Sequence, residues 1–192
     1  HRVVTVDLHA GQIQGFFDMP VDNLFTTPLF ARFIKKNIKS KNFICVSPDA
    51  GAIERTRALA TKINADLAII DKRRPEPGKS KVMNIIGDVK GKDCIIIDDI
   101  IDSGGTIINA ADALVKKGAR NVYVFITHAV LSGEAIKNIQ KSRIKKLVIT
   151  DTIDNSKKIK KANKIQVLSI SQLMAEAIKR ISNSTSVSSL FN

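Results

Sequence analysis

Two adjacent carboxylates, Asp98 and Asp99, follow the isoleucine run Ile95-Ile96-Ile97, and a Ser103-Gly104-Gly105-Thr106 turn follows them. The triplet reads as a buried strand with the acids at its C-terminal end, and the glycine turn reads as the start of a helix. In a parallel sheet, ligands bind beyond the carboxyl ends of the strands. A glycine-rich turn opening a helix presents backbone N–H groups and a partial positive charge, which suit a phosphate dianion. Carboxylates beside such a phosphate suit sugar hydroxyls or a hydrated Mg2+. Type and spacing together point to a sugar phosphate. The bland alternative has the acids merely ending a strand and Ser103 merely capping a helix. Two carboxylates beside an amide nest would then be an uncompensated electrostatic cost.

Other reactive types sit at the ends of apolar runs. His9 lies in Asp7-Leu8-His9-Ala10, Asp49 in Ser47-Pro48-Asp49-Ala50-Gly51, and His128 in Ile126-Thr127-His128. A lone histidine at a strand end is ordinarily structural, and His128 is read that way. Lys72, Arg73 and Arg74 stand beside Pro75 and Pro77. Cations carried on a loop can stabilise charge developing on phosphate oxygens as the loop closes. Arginine brings a fork that fits phosphate, and lysine a compact charge. The competing reading is a solvated surface run.

Positioning these groups requires strands that alternate with helices. Apolar, β-branched runs at Val3–Val6, Phe43–Val46, Leu67–Ile70, Met83–Val89, Cys94–Ile97, Val122–Ile126, Leu147–Thr150 and Ile165–Leu168 read as strands. Helical spacing falls between most of them. Pro28 opens a helix to about Ile38, another runs to about Ile63, and a third follows Gly105 and ends near Lys117, with Gly118 as its stop. Further helices are expected around Glu134–Gln140 and Leu173–Ile181. Asp18–Asn23 reads as a turn, and Asp71–Gly78 as a loop that regular structure excludes. The class is α/β, a mainly parallel sheet flanked by helices.

Composition narrows the partners. The 192 residues hold 31 Lys+Arg against 18 Asp+Glu, a formal net charge of +13, which fits nucleic acid, an acidic surface or phosphorylated small molecules, or simply solvated lysine-rich helix faces. Aromatics are 5%, with one Tyr and no Trp, so stacking platforms for nucleic acid are scarce. No apolar run approaches the roughly 20 residues of a membrane span. Cys45 and Cys94 sit inside apolar runs with no CxxC pattern, which argues against metal or redox work and for a reducing cytoplasm. The chain opens on His1 in what reads as a strand, so an upstream segment is expected.

The segment IIIDDIIDSGGTI resembles the phosphate loop of the type I phosphoribosyltransferase fold. DLHAGQIQGFFDMPVDNL, SPDAG, DKRRPEP, LVITDTI and the terminal SVSSLF, in that order, are similar to the ribose-phosphate diphosphokinase family across the whole chain. That resemblance implies transfer of a diphosphoryl group from Mg-ATP to ribose 5-phosphate, in a homo-oligomer, with no nucleic acid or membrane involved. It implies that Asp102, Ser103, Gly104, Gly105 and Thr106 hold the 5-phosphate while Asp98 and Asp99 meet the ribose. Lys72 and Arg74 would be catalytic, and His9 and Asp49 would meet Mg2+. Gln14, Asp22, Asn23, Ser186, Ser188 and Phe191 would line a regulatory phosphate or nucleotide site. Residues 1–25 would be the end of an N-terminal domain, 26–181 the C-terminal domain, and 182–192 a tail that docks back or onto a partner. Ala52 and Ser189 depart from the family, which often has Gly and Tyr there. A nucleobase phosphoribosyltransferase would share the phosphate loop but lack DLHAGQIQGFF and DKRRPEP. A non-catalytic regulatory subunit would tend to have an altered cationic loop.

Overall fold

The computed structural model describes residues 1–40, 42–73 and 82–191. Its main sheet is built from β3 (Phe43–Ser47), β4 (Asp66–Arg73), β5 (Val82–Ile86), β6 (Asp93–Ile101), β7 (Asn121–Ala129), β8 (Lys146–Thr150) and β9 (Ile165–Leu168). The spatial order is β5-β4-β3-β6-β7-β8-β9, and every pair is parallel except β4 with β5. A separate parallel ribbon joins β1 (Val3–Val6) to β2 (Val21–Leu24). The helices are α1 (Thr27–Asn37), α2 (Ile53–Ile63), α3 (Gly105–Lys116), α4 (Ala135–Lys141) and α5 (Ser171–Ser182).

Covering both faces explains why the central strands are apolar without alternation. On one face, Phe30, Ile34, Leu59 and Ile63 of α1 and α2 pack on Cys45, Ile95, Ile97, Phe125 and Val148. On the other, Ala110, Ala111, Leu114 and Ile139 of α3 and α4 pack on Ile44, Val46, Ile96, Val124 and Ile149. Each fully buried Ile, Leu or Phe side chain contributes about 1.5–3 kcal/mol. A third cluster forms where Leu24, Ala177 and Val187 meet Val4, Val6, Leu173, Leu190 and Phe191, so the chain after α5 folds onto the β1–β2 ribbon. The segment joining β1 to β2 carries exposed apolar side chains: Phe16 is 87% exposed, and Phe17 and Met19 are also exposed.

Three sequence expectations need correction. Asp18–Asn23 is not all turn, because Val21, Asp22 and Asn23 pair with Val3, Val4 and Thr5. Asp71–Gly78 is not all loop, because β4 continues through Arg73 on an antiparallel partner, β5. β5 ends at Ile86 rather than Val89, since Gly87 adopts φ +111. Its backbone lies so close to Ala68 that an added Cβ would sit 2.9 Å from the Ala68 side chain. Elsewhere the expected strands and helices form within a few residues of their predicted ends, and Gly118, at φ +91, follows the C-cap of α3.

The connections locate the site. From β3 the chain crosses over α2 to β4 on one side; from β6 it crosses over α3 to β7 on the other. β3 and β6 are neighbours, so the winding reverses between them, and a crevice opens beyond their carboxyl ends.

Candidate functional site

The turn after β6 frames one wall of that crevice. Gly104 stands at the N-cap of α3 with φ +80, and among the described residues no side chain caps the helix. A Cβ on Gly104 would find only ordinary contacts, 3.6 Å or more away, so the backbone angle rather than space selects glycine. The first main-chain bond that closes the helix runs from Ile108 N to Gly104 O at 2.9 Å. Asp102, Ser103, Gly105 and Thr106 are exposed. The early amides of α3 therefore meet solvent where an anion can approach, as a helix start allows. The five residues expected to hold a phosphate, Asp102 to Thr106, lie together in this turn.

The acid pair lies not beyond a strand but inside one, because β6 runs on to Ile101 and stays paired with β7 through Ala129. Arg55, from the first turn of α2, links the two: its Nη1 lies 3.0 Å from Asp98 Oδ1 and 3.1 Å from Asp99 Oδ1. Asp99 Oδ2 lies 2.9 Å from His9 Nδ1. Main-chain donors complete the pair, from Asp99 N to Asp98 Oδ1 (3.0 Å) and from Ile100 N to Asp99 Oδ1 (2.8 Å).

These contacts split the acids. Burial, and then the charge of Asp99, push Asp98 up to about 7. Burial alone would raise Asp99 as well, but the Arg55 hydrogen bond and charge, with the His9 hydrogen bond, hold it at about 2. The guanidinium is nearly equidistant from both, and His9 touches only Asp99. Asp99 therefore keeps the negative charge, and Asp98 is the acid that takes up a proton as pH falls through about 7. An acid that donates beside one that accepts suits vicinal hydroxyls of a sugar.

His9 has an exposed side chain, and with Nδ1 on Asp99 its Nε2 faces outward. Histidines that carry metals are commonly oriented this way by a carboxylate. Asp49, half-buried after β3, accepts from Ala52 N at 3.2 Å, while Ser47 Oγ donates to the Asp49 carbonyl at 2.6 Å. Among the described residues no three His, Cys, Asp or Glu groups form a cluster for a cation. His9 and Arg55 share a cavity of about 460 Å³ with Asp7, Gln14, Asn23, Gly51, Lys62 and Phe191. A larger cavity, about 870 Å³, opens at the opposite ends of the strands around Asp93, Arg120, Tyr123 and Lys146, away from the acids.

Lys72 is a backbone position of β4 opposite Met83, and Arg74 lies outside the described residues. The six expected regulatory residues divide between two cavities. Gln14, Asn23 and Phe191 line the one shared with His9; Asp22, Ser186 and Ser188 line another of about 470 Å³ beside Arg2. Phe191 is held there by Phe25, ring centres 5.4 Å apart, and by Lys62 Nζ, which donates to its carbonyl at 2.8 Å. His128 is structural, as expected: Nε2 donates to Val6 O at 2.9 Å and Nδ1 meets Thr152 Oγ1 at 3.0 Å.

Sequence reasoning missed Arg55. Its one signal was its place, a cation in the first turn of a helix, where the macrodipole disfavours positive charge.

A family model described as the phosphoribosyl synthetase-associated domain matches residues 75–192. A ribose-phosphate pyrophosphokinase of Brucella melitensis is 58% identical over 100% of this chain, and one of Rhizobium meliloti is 56% identical over the same share. The chain spans 62% of the length of each of these curated relatives. The crystal structure of phosphoribosylpyrophosphate synthetase from Mycobacterium smegmatis superposes with a TM-score of 0.87 at 36% identity, covering 95% of this chain and 59% of that one.

Proposed function

This chain belongs to the phosphoribosyl synthetase-associated family, and from that premise we propose that it forms the ribose-phosphate-binding part of a ribose-phosphate diphosphokinase. The reaction would be attack of the ribose 5-phosphate C1 hydroxyl on the β-phosphorus of Mg-ATP, giving phosphoribosyl diphosphate and AMP. One observation carries this reading. An uncapped, glycine-led helix start and an acid pair split by Arg55 flank the same switch point between β3 and β6.

In this reading Asp102, Ser103, Gly104, Gly105 and Thr106 hold the 5-phosphate. Asp98 and Asp99 take the ribose hydroxyls, one donating and one accepting. Lys72 and Arg74 stabilise charge on the transferring diphosphate. His9 and Asp49 would hold Mg2+. That ion prefers oxygen ligands, keeps several waters and takes substrate phosphates rather than an all-protein cage, so Asp49 would meet it through a carboxylate oxygen and His9 at the edge of its shell. When bound, it would neutralise charge on the phosphate chain. The protein's own share is positioning and electrostatics.

Gln14, Asp22, Asn23, Ser186, Ser188 and Phe191 would receive a phosphate or nucleotide effector, in a homo-oligomer working in the cytoplasm. Residues 1–25 would belong to an N-terminal domain, 26–181 would be the ribose-phosphate domain, and 182–192 a tail returning to the first. Among the described residues no helix is long and apolar enough to cross a membrane.

Calorimetric titration of ribose 5-phosphate into the chain and into Thr106→Val tests the core of this proposal. Binding by the parent that weakens about tenfold in the variant is expected, roughly the loss of one hydroxyl donor to a charged phosphate. Equal heats in both would overturn it.

A further inference from the structure

His9 reaches Asp99 from a side chain that packing does not hold, since 74% of it is exposed. Its placement must come from the backbone before it. The last residue of β1 is Val6, whose carbonyl accepts from His128 Nε2 at 2.9 Å. The next residue, Asp7, is 5% exposed and adopts φ +43. A left-handed angle at a residue with a Cβ is strained and persists where the surroundings over-determine it.

The surroundings of Asp7 do so. Its N–H donates to Leu24 O at 2.8 Å. Its Oδ2 accepts from Thr26 Oγ1 (2.6 Å), Thr127 Oγ1 (2.6 Å) and Thr26 N (3.2 Å). Thr26 precedes α1, and Thr127 lies in β7. Ile126 pairs with Asp98 and His128 with Ile100, so Thr127 stands beside Asp99 across the β6–β7 ladder. The anchor of Asp7 and the partner of His9 are thus neighbours. We infer that Asp7 is a positioning residue: its buried carboxylate, clasped by Thr26 and Thr127, turns the chain out of β1 so that His9 Nδ1 meets Asp99.

This inference rests on the proposed function only for its consequence, that a seated His9 serves the metal–nucleotide side of the site. Two readouts separate the parts. The first needs no ligand. Ring 15N shifts of His9, measured where the imidazole is neutral, report which nitrogen carries the proton, and the partner of each nitrogen sets that choice. The parent should hold the proton on Nδ1, facing Asp99; Asp7→Ala should move His9 towards the Nε2–H form. Thr127→Val, which removes one donor to Asp7 at nearly constant volume, should shift it the same way by less and covers the case in which Asp7→Ala does not fold.

The second readout is calorimetric. Asp7→Ala should weaken Mg-ATP binding by about tenfold, the scale of losing a residue that orients a metal ligand. Binding of ribose 5-phosphate should weaken by no more than about threefold, because Asp99, which His9 shares with that site, still keeps Arg55 as its counter-charge. Added to His9→Ala, Asp7→Ala should cost nothing more for Mg-ATP. An unchanged His9 tautomer in the folded variants, equal loss of both ligands, or additive losses with His9→Ala would each overturn the inference. If the tautomer shifts while His9→Ala leaves Mg-ATP binding intact, the positioning role stands and the metal-facing role of His9 falls.

Discussion

Replacing Arg55 with Met keeps the aliphatic stem against α2 and removes the only guanidinium between Asp98 and Asp99 among the described residues. Breaking a buried pair by deleting one partner costs about 3–5 kcal/mol when the remaining charge has no escape. Here it has one. Asp98 already sits at about 7, so the pair can take up a proton near neutrality and shed most of the repulsion. The sign follows from linkage. A carboxyl whose folded pKa lies above its unfolded value contributes stability that is fully present below the unfolded value, and loses it as pH rises through the folded one. Without Arg55 the carboxyl pKa values rise further, so the loss deepens between pH 5 and pH 8. We expect Arg55→Met to cost about 1 kcal/mol at pH 5 and about 3 kcal/mol at pH 8, a melting shift of roughly 2–4 °C growing to roughly 6–12 °C. Urea unfolding at four pH values between 5 and 8 measures both ends. A loss that stays constant with pH, or is larger at pH 5, would refute the assignment of the shared proton and of Arg55 as the counter-charge.

Three further outcomes follow from the same geometry. Asp98→Asn should stabilise the chain by about 1–3 kcal/mol at pH 8 and flatten its stability between pH 4 and 7, because raising a carboxyl from 3.8 to about 7 spans that window; unfolding curves across the range check it. Gly104→Ala should lose about 1–2 kcal/mol through its left-handed angle, whereas Gly105→Ala, whose Cβ would meet only Ser103 Oγ at 4.0 Å, should unfold at nearly the parent's urea concentration yet weaken ribose 5-phosphate binding. Cys45 and Cys94, pushed up to about 12 by burial first, should resist a thiol-specific colorimetric reagent at pH 8 for as long as the chain is folded and react together once urea unfolds it.

Most of the frame was legible because its cause is local. Cys94–Ile97 is apolar on both faces, which only a covered strand explains, and Gly104-Gly105 before Thr106 marks a helix start that needs a left-handed residue. What was illegible depends on pairing. Asp71, Lys72 and Arg73 look like loop by composition, and become strand only because β5 supplies hydrogen-bond partners from a segment of different character. Val21, Asp22 and Asn23 likewise look like a turn after Pro20, and are strand because β1 lies beside them.

The acid pair is the sharpest case. Strict alternation would place Ile97 and Ile101 on one face, yet Ile97 packs with α1 and α2 while Ile101 packs with α3 and α4. The strand therefore changes its facing within the Asp98–Ile100 stretch: Asp98 and Ile100 stay opposite Ile126 and His128, while the Asp99 and Ile100 N–H groups turn to the Asp98 and Asp99 carboxylates. Aspartate disfavours strands, so a reading of residue types ends β6 at Ile97. Arg55, 43 positions away, offsets that cost by offering one guanidinium to both acids. Strand and site thus share one counter-charge. That is why Arg55→Met should do more than shift a pKa: without the counter-charge, amide exchange at Asp99, Ile100 and Ile101 should speed up relative to Ile95 and Ile96. Equal protection along the whole strand in that variant would separate the two and leave the acids in β6 for a reason other than Arg55.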